Sequence, residues 1–288
     1  MPSCQWHEEG VMMPILDLVE TDGFLHFNRD QCVAAGKARA EAYQSAQPFP
    51  HIVMDDFVSS DRLREIVDTF PDREGRNYFD RAQERLKYQF DPNTVQSRQV
   101  RNLLAELNGE PFLAFLSEMT GIEGLISDPY YAGGGLHETL SGGHLSIHAD
   151  FNLHSRMNVE RRLNLLIYLN DDWPESYGGR LELWDKKMRA AATSILPVMG
   201  RAVVFNTTLQ SFHGQPSPLT CPPDRSRRSI ATYYYTALPA QVAPPKRTTT
   251  FQTRPGTGDR TDWKIKYHHF VQDWVPPRLQ KHARRLMG

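Results

Sequence analysis

Cysteine is scarce in this chain. Cys4, Cys32 and Cys221 stand far apart among 288 residues, and no CxxC occurs. So sparse and odd-numbered a set excludes a disulfide framework and fits free thiols in a reducing compartment. Long apolar runs are missing as well: nothing approaches the roughly 18 residues of a membrane-spanning helix. No basic segment followed by an apolar run opens the sequence, so no signal peptide is expected and the cytoplasm is the default location. Charge of one sign is not in excess either. Lys and Arg number 33 against 34 Asp and Glu, a formal net charge of −1, so neither nucleic acid nor a membrane surface is expected as a partner. No internal repeat, low-complexity segment or heptad pattern is present, and the oligomeric state stays undefined.

What remains is ordinary globular composition, 40% hydrophobic and 23% charged, in a chain long enough to bury a large core without staples. The organisation is expected in three parts. Residues 1–46 form a peripheral extension, with a helix over Gln31–Ala46. Residues 47–238 form the main domain, and 239–288 a linker or lid and a basic helical extension. Pro48–Phe57 reads as a short strand. Ser59-Ser60-Asp61 then caps a helix through Leu63, Ile66, Val67 and Phe70. Thr94–Thr120 is helical with a break at Asn108-Gly109. After Gly121 the texture changes to short β-rich runs: Asp128–Ala132, Gly143–Ile147, Arg162–Asn170, Gly179–Trp184, Thr193–Pro197, Ala202–Asn206 and Ser229–Thr236. Such spacing predicts an antiparallel barrel or sandwich. The fold class is therefore mainly β with flanking helices (α+β). Lys264–Gly288 carries Lys264, Lys266, Arg278, Lys281, Arg284 and Arg285 against Asp273, read as a solvated helical face.

The strongest local signal is His144-Leu-Ser-Ile-His148-Ala-Asp150. Alternate residues of a strand share a face, so His148 and Asp150 would project together. An imidazole and a carboxylate suit a first-row divalent metal, and two histidines with one carboxylate make the non-haem iron(II) oxygenase pattern. A third ligand is available in His213, after the apolar strand Val203–Asn206, and Gly214 behind it would let the backbone turn away. Fourteen residues later Arg227-Arg228-Ser229 opens another strand. Arg227 and Ser229 would share one face, where a guanidinium and a hydroxyl can grip a carboxylate. A one-residue change of register would put Arg228 there instead.

Taken in order, His148-Ala-Asp150, His213 and Arg227-x-Ser229 resemble the iron(II)/2-oxoglutarate oxygenase superfamily in its prolyl 4-hydroxylase-like branch. Tyr131–Glu138, Arg161–Asn170, Tyr177–Trp184 and the entry strand Pro48–Phe57 are similar to that branch too, so the resemblance covers roughly 48–238. It implies a double-stranded β-helix, or jelly roll, of the cupin-like kind, with Fe(II), 2-oxoglutarate and O₂ as cofactors. It implies His148, Asp150 and His213 as iron ligands and Arg227 with Ser229 as the 2-oxoglutarate anchor. Asn164 and Tyr168, on one face with Arg162 and Leu166, are further candidates for the cosubstrate. Related halogenases replace the carboxylate of the iron site with Gly or Ala, so Asp150 implies hydroxylation, or a desaturation or cyclisation.

His137, Glu138, His144 and Asn152 are candidate substrate contacts. His144 and Asn152 share strand parity with the ligands, and His137-Glu138 follows a glycine triplet. Trp184 is either a pocket wall or a core aromatic, Tyr233–Tyr235 are barrel packing, and Arg73–Arg81 is a polar loop that could act as a lid. The expected activity is hydroxylation of a small polar substrate, an amino acid or related metabolite. The alternatives are a prolyl or peptidyl hydroxylase and a non-catalytic cupin-like binding module.

Overall fold

The computed structural model describes residues 13–74, 76–239, 244–276 and 278–280. Cys4, Lys281, Arg284 and Arg285 lie outside them, as do parts of the expected linker and of the basic C-terminal segment.

Alternation builds the core. In the strand Val159–Tyr168, Leu163, Leu165 and Ile167 point to one side and pack with Phe112, Phe115 and Leu104 in a fully buried cluster. Tyr168 and Leu166 point to the other side, with Val203, Phe205 and Leu183. A period of two with both faces apolar describes a strand covered by helices outside and by a second sheet inside. Each such leucine or phenylalanine contributes on the order of 2 kcal/mol by leaving water.

The helices on the outer face are Arg98–Leu107 and Glu110–Thr120. The expected break falls between them. Gly109 caps the second helix with Pro111 in its first turn, and Gly121 ends it in a left-handed conformation at φ 72°, as a residue without Cβ allows. The expected N-terminal helix is instead two, Arg29–Lys37 and Ala40–Gln44. The helix after the entry strand is Ser60–Asp68, and Ser59 caps it without a side-chain hydrogen bond.

The sheet has 12 strands among the described residues, all paired antiparallel. Its main path runs Ala191–Ile195, Leu181–Trp184, His213–Gln215, Gly135–Ala149, Ser226–Ala237, Val159–Tyr168, Ala202–Asn206 and His51–Met54. This is the mainly β, nearly closed jelly roll that was expected. Three strands join it that periodicity did not reveal. The hairpin Asn77–Arg81/Glu84–Phe90 pairs with Gly135–Ala149 where a polar loop was expected. Thr250–Phe251, inside the expected linker, pairs with the same long strand at Ala149 and His148.

The segment Asp128–Ala132 is a turn and not a strand. The Asp128 carboxylate accepts hydrogen bonds from the Tyr130 and Ala132 amides, an arrangement that competes with a ladder. Its strand is the shorter Ile126–Ser127. Trp263–Trp274 is helical, and no described helix is long and apolar enough to cross a membrane.

Candidate active site

His148 and Asp150 come from the end of the long strand Gly135–Ala149, and His213 lies directly opposite His148 across the pairing. The His148 Nε2 is 3.6 Å from Asp150 Oδ1, and the His213 Nε2 is 3.4 Å from Asp150 Oδ2. One ligand atom from each residue falls within 4.8 Å of the others. The Nδ1 of His148 lies 2.9 Å from the Ser146 carbonyl, and that of His213 lies 2.9 Å from the Ser211 carbonyl. A carbonyl only accepts, so both Nδ1 atoms carry the proton and both Nε2 lone pairs are free for a metal. Burial and the adjacent His148 push the His213 imidazole down to about 4, toward the neutral state that a metal ligand needs. Two imidazoles and one carboxylate on one wall of an open cavity fit a divalent first-row ion with free coordination positions.

Asp150 is supported from behind by a residue that strict alternation from Asn164 would place on the opposite face. Arg161, 2% exposed, approaches Asp150 Oδ2 to 3.1 Å. Its guanidinium lies over the Tyr233 ring at 3.5 Å and the Phe151 ring at 4.6 Å. Burial alone would raise the Asp150 pKa. Arg161, His213 and His148 outweigh that and hold it well below the usual carboxylate range. The expected face held Arg162 with Asn164. A bulge between Tyr234 and Tyr235 of the partner strand shifts the register, and Arg161 turns inward instead. Asn164 bridges the two. Its Oδ1 accepts from Arg161 at 2.9 and 2.7 Å, and its Nδ2 donates to Asp150 at 2.8 Å. The Asn164 amide thus steadies the metal carboxylate while its side chain also lines the cavity.

The two candidate arginines separate cleanly. Arg227 is 9% exposed and lines the cavity with Ser229. Its Nε donates to the Gly179 carbonyl at 2.8 Å, and an Nη donates to the Tyr168 hydroxyl at 3.3 Å. Tyr168 therefore backs the arginine and does not itself line the cavity. A Cβ on Gly179, at φ 75°, would come within 3.0 Å of the Arg227 Cδ, so glycine there makes room for the side chain. Arg228 points to the opposite side, where it reaches Glu138 at 3.2 Å and lies over Phe70.

Glu138, Asn152 and His144 are corrected as substrate contacts. Glu138 is 1% exposed on the face turned away from the cavity and accepts from Arg73 at 2.7 and 3.0 Å and from Ser226 at 2.6 Å. Asn152 holds the returning chain. Its side chain donates to the Pro245 carbonyl at 2.9 Å and accepts from the Arg247 amide at 2.7 Å. His144 binds the Ala82 carbonyl at 3.2 Å, outside the cavity. The pairing with His213–Gln215 shifts between His148 and Leu145. This bulge reverses parity, so Leu145 lines the cavity with His148. Gly214 serves this crossing rather than a turn: a Cβ there would lie 2.8 Å from the Leu145 and Ser146 carbonyls.

His137 does line the cavity, as expected. Burial, and then Lys87, push its imidazole down to about 3. Trp184 packs with Ile147, Ala149 and Phe212 as a core aromatic. Of the tyrosines expected to pack the barrel, Tyr233 also faces the cavity. Arg81, Glu84, Lys87 and Gln89 of the hairpin complete the cavity, along with Phe251. Sequence reading missed these because a short polar hairpin and an isolated two-residue strand leave no periodic signal.

Residues 134–235 match a family model described as the 2OG-Fe(II) oxygenase superfamily. That segment holds His148, Asp150, His213 and Arg227, so over it the chain resembles that superfamily, and with this jelly roll the match supports an oxygenase. No curated protein matches the chain. Among solved structures, it is similar to a prolyl hydroxylase from Trichoplax adhaerens in complex with a hypoxia inducible factor peptide fragment. The TM-score is 0.53 at 14% identity, over 72% of this chain and 91% of that one. It is also similar to a prolyl 4-hydroxylase from Phytophthora capsici, with TM-score 0.50 at 18% identity over 93% of this chain and 80% of that one. A third similar structure is HygX from Streptomyces hygroscopicus with nickel, 2-oxoglutarate and hygromycin B bound. Its TM-score is 0.48 at 12% identity, over 69% of this chain and 87% of that one. At these identities the likeness concerns the fold and does not select a substrate.

Proposed function

We propose that this oxygenase hydroxylates a C–H bond of a small polar substrate, with Fe(II) held by His148, Asp150 and His213 and 2-oxoglutarate anchored by Arg227. When bound, iron and 2-oxoglutarate would supply the electrons that activate O₂, with O₂ as the oxidant and succinate and CO₂ as the products of the cosubstrate. The protein's own part is positioning and shielding. Carbonyls 146 and 211 aim the imidazoles, Asn164 and Arg161 keep Asp150 ionised and fixed, and Tyr168 and Gly179 hold Arg227 toward the cavity. Arg227 has no carboxylate partner among the described residues, and burial lowers its pKa, so it favours an anionic ligand.

The observation that carries the small-substrate reading is the cover over the metal cluster. Thr250–Phe251 adds to the edge of the long strand at His148, and the Phe251 ring, 7% exposed, lies 5.7 Å from the His148 ring. A protein-modifying enzyme should have an open groove beside the metal, and here the chain's own segment covers one side of it. The cavity is about 200 Å³ and must take 2-oxoglutarate as well as the substrate, which favours a small substrate over a peptide chain.

The test is anaerobic addition of Fe(II) and 2-oxoglutarate to the purified protein, following the visible charge-transfer absorption of the chelate, with His213→Ala as control. A band in the wild type that is lost in the variant supports the assignment. Iron binding without a band refutes 2-oxoglutarate chelation and moves the cupin-like binding module ahead.

A further inference from the structure

The cavity carries more positive charge than its cofactors account for. Its lining holds Arg81, Lys87, Arg161 and Arg227 against two carboxylates, Glu84 and Asp150. Iron with two positive charges and 2-oxoglutarate with two negative charges leave that imbalance unchanged. Arg161 faces Asp150 and Arg227 faces the cosubstrate, so one of the two excess charges can be followed to the hairpin.

There the strand Glu84–Phe90 is bulged. Its pairing with the long strand shifts between Arg85 and Lys87, and Leu86 adopts φ 50°. The bulge places Glu84 and Lys87, three residues apart, on the same inward side, where strict alternation would separate them. The Glu84 carboxylate, 8% exposed, takes the Lys87 ammonium on Oε1 at 2.9 Å and the Arg81 guanidinium on Oε2 at 2.8 Å. One carboxylate thus holds two cations. The Lys87 ammonium has three donors and spends one on Glu84. Its side chain is 13% exposed, and the Phe79 ring lies 5.8 Å from it. A partly buried, half-compensated cation facing a cavity is costly unless an anion completes it.

We propose that Lys87 and Arg81, oriented by Glu84, form a subsite for a carboxylate of the substrate, which makes the substrate a small carboxylic acid. The proposal rests on the oxygenase reading above and deepens it. Glu84 acts here as a positioning residue, since it has both of its oxygens occupied and turns the two cations inward. Lys87 is the specificity-determining residue, because Arg81 is 56% exposed and contributes through solvent-screened charge.

The experiment uses the full chain loaded with Zn(II) and 2-oxoglutarate. Free L-amino acids are compared with the same amino acids as carboxamides, and binding is read by saturation-transfer NMR. Binding of at least one free acid in preference to its amide is expected, with affinity reduced at least tenfold in Lys87→Met and retained in Lys87→Arg. The proposal is overturned if no acid binds, if acids and amides bind alike, or if acid binding survives Lys87→Met. The Fe(II)/2-oxoglutarate absorption band, measured on each variant, keeps the two ideas apart. A band that persists in Lys87→Met shows that the variant is folded with its iron site intact, whereas a band missing from the wild type refutes the oxygenase chemistry and leaves the NMR result to judge the subsite alone.

Discussion

Replacing Arg227 by Met, with Arg228→Met beside it, separates two neighbouring cations by their direction alone. Arg227 is fixed by the Gly179 carbonyl and the Tyr168 hydroxyl, and its remaining N–H groups face the cavity. Hydrogen bonds to a charged group are worth about 1.5–3 kcal/mol each, so losing a two-pronged grip on a carboxylate costs roughly 3 kcal/mol. At 1.4 kcal/mol per decade, the 2-oxoglutarate Kd should rise about 100-fold. Arg228→Met should leave that Kd within about threefold, because its side chain is engaged with Glu138 and Phe70 on the far face. Arg227→Lys should fall between, keeping the charge but not the planar fork. The assay is anaerobic titration of the Fe(II) enzyme with 2-oxoglutarate at the chelate band. A thermal melt of each variant is needed because Arg227→Met also strips a donor from two groups, at about 1–3 kcal/mol if they stay unsatisfied. The reasoning is refuted if Arg228→Met weakens 2-oxoglutarate as much as Arg227→Met, or if Arg227→Met binds it normally.

Two other variants probe the frame. Glu138→Gln should lower stability by about 1–3 kcal/mol, below the usual cost of breaking a buried pair because Arg73 is half exposed and can be rehydrated. Burial pushes the Glu138 carboxyl up, but Arg73, Ser226 and Arg228 outweigh it and hold the pKa below the ordinary 4.5. The advantage of wild type over Glu138→Gln should therefore be complete above that value and shrink as pH falls through the lower folded pKa. Parallel urea melts across that range check it, and a pH-independent gap would contradict the charge argument. Asn152→Ala removes two hydrogen bonds that tie down the segment at Pro245 and Arg247. At about 1 kcal/mol each, its opening should become roughly 30-fold more populated, read as faster limited proteolysis near Thr250–Phe251; an unchanged cleavage rate would show that the pairing with His148 alone secures the cover.

Local chemistry and short-range periodicity determined a good deal of this protein. The residue types and order of His148, Asp150, His213 and Arg227 mark out a candidate metal site and a candidate carboxylate anchor, because few other side chains can supply those donors. The runs 162–170 and 202–206 read as strands, and Asn108-Gly109 reads as the helix break. What the sequence did not disclose are facing and company. Three bulges, at Leu86, between Leu145 and His148, and beside Arg161, each shift parity at the cavity wall. Alternation misplaces His144 and Arg162 and hides Lys87 and Arg161 for that reason. Glu138 reads as a pocket residue until the helical side of the sheet supplies Arg73. The cover by Phe251 depends on a contact between residues about a hundred positions apart. A bulge is one extra residue in a ladder, visible only once the partner strand is known, and a long-range contact has no local signature at all. For that reason the tertiary structure alone decided which charges face the cavity.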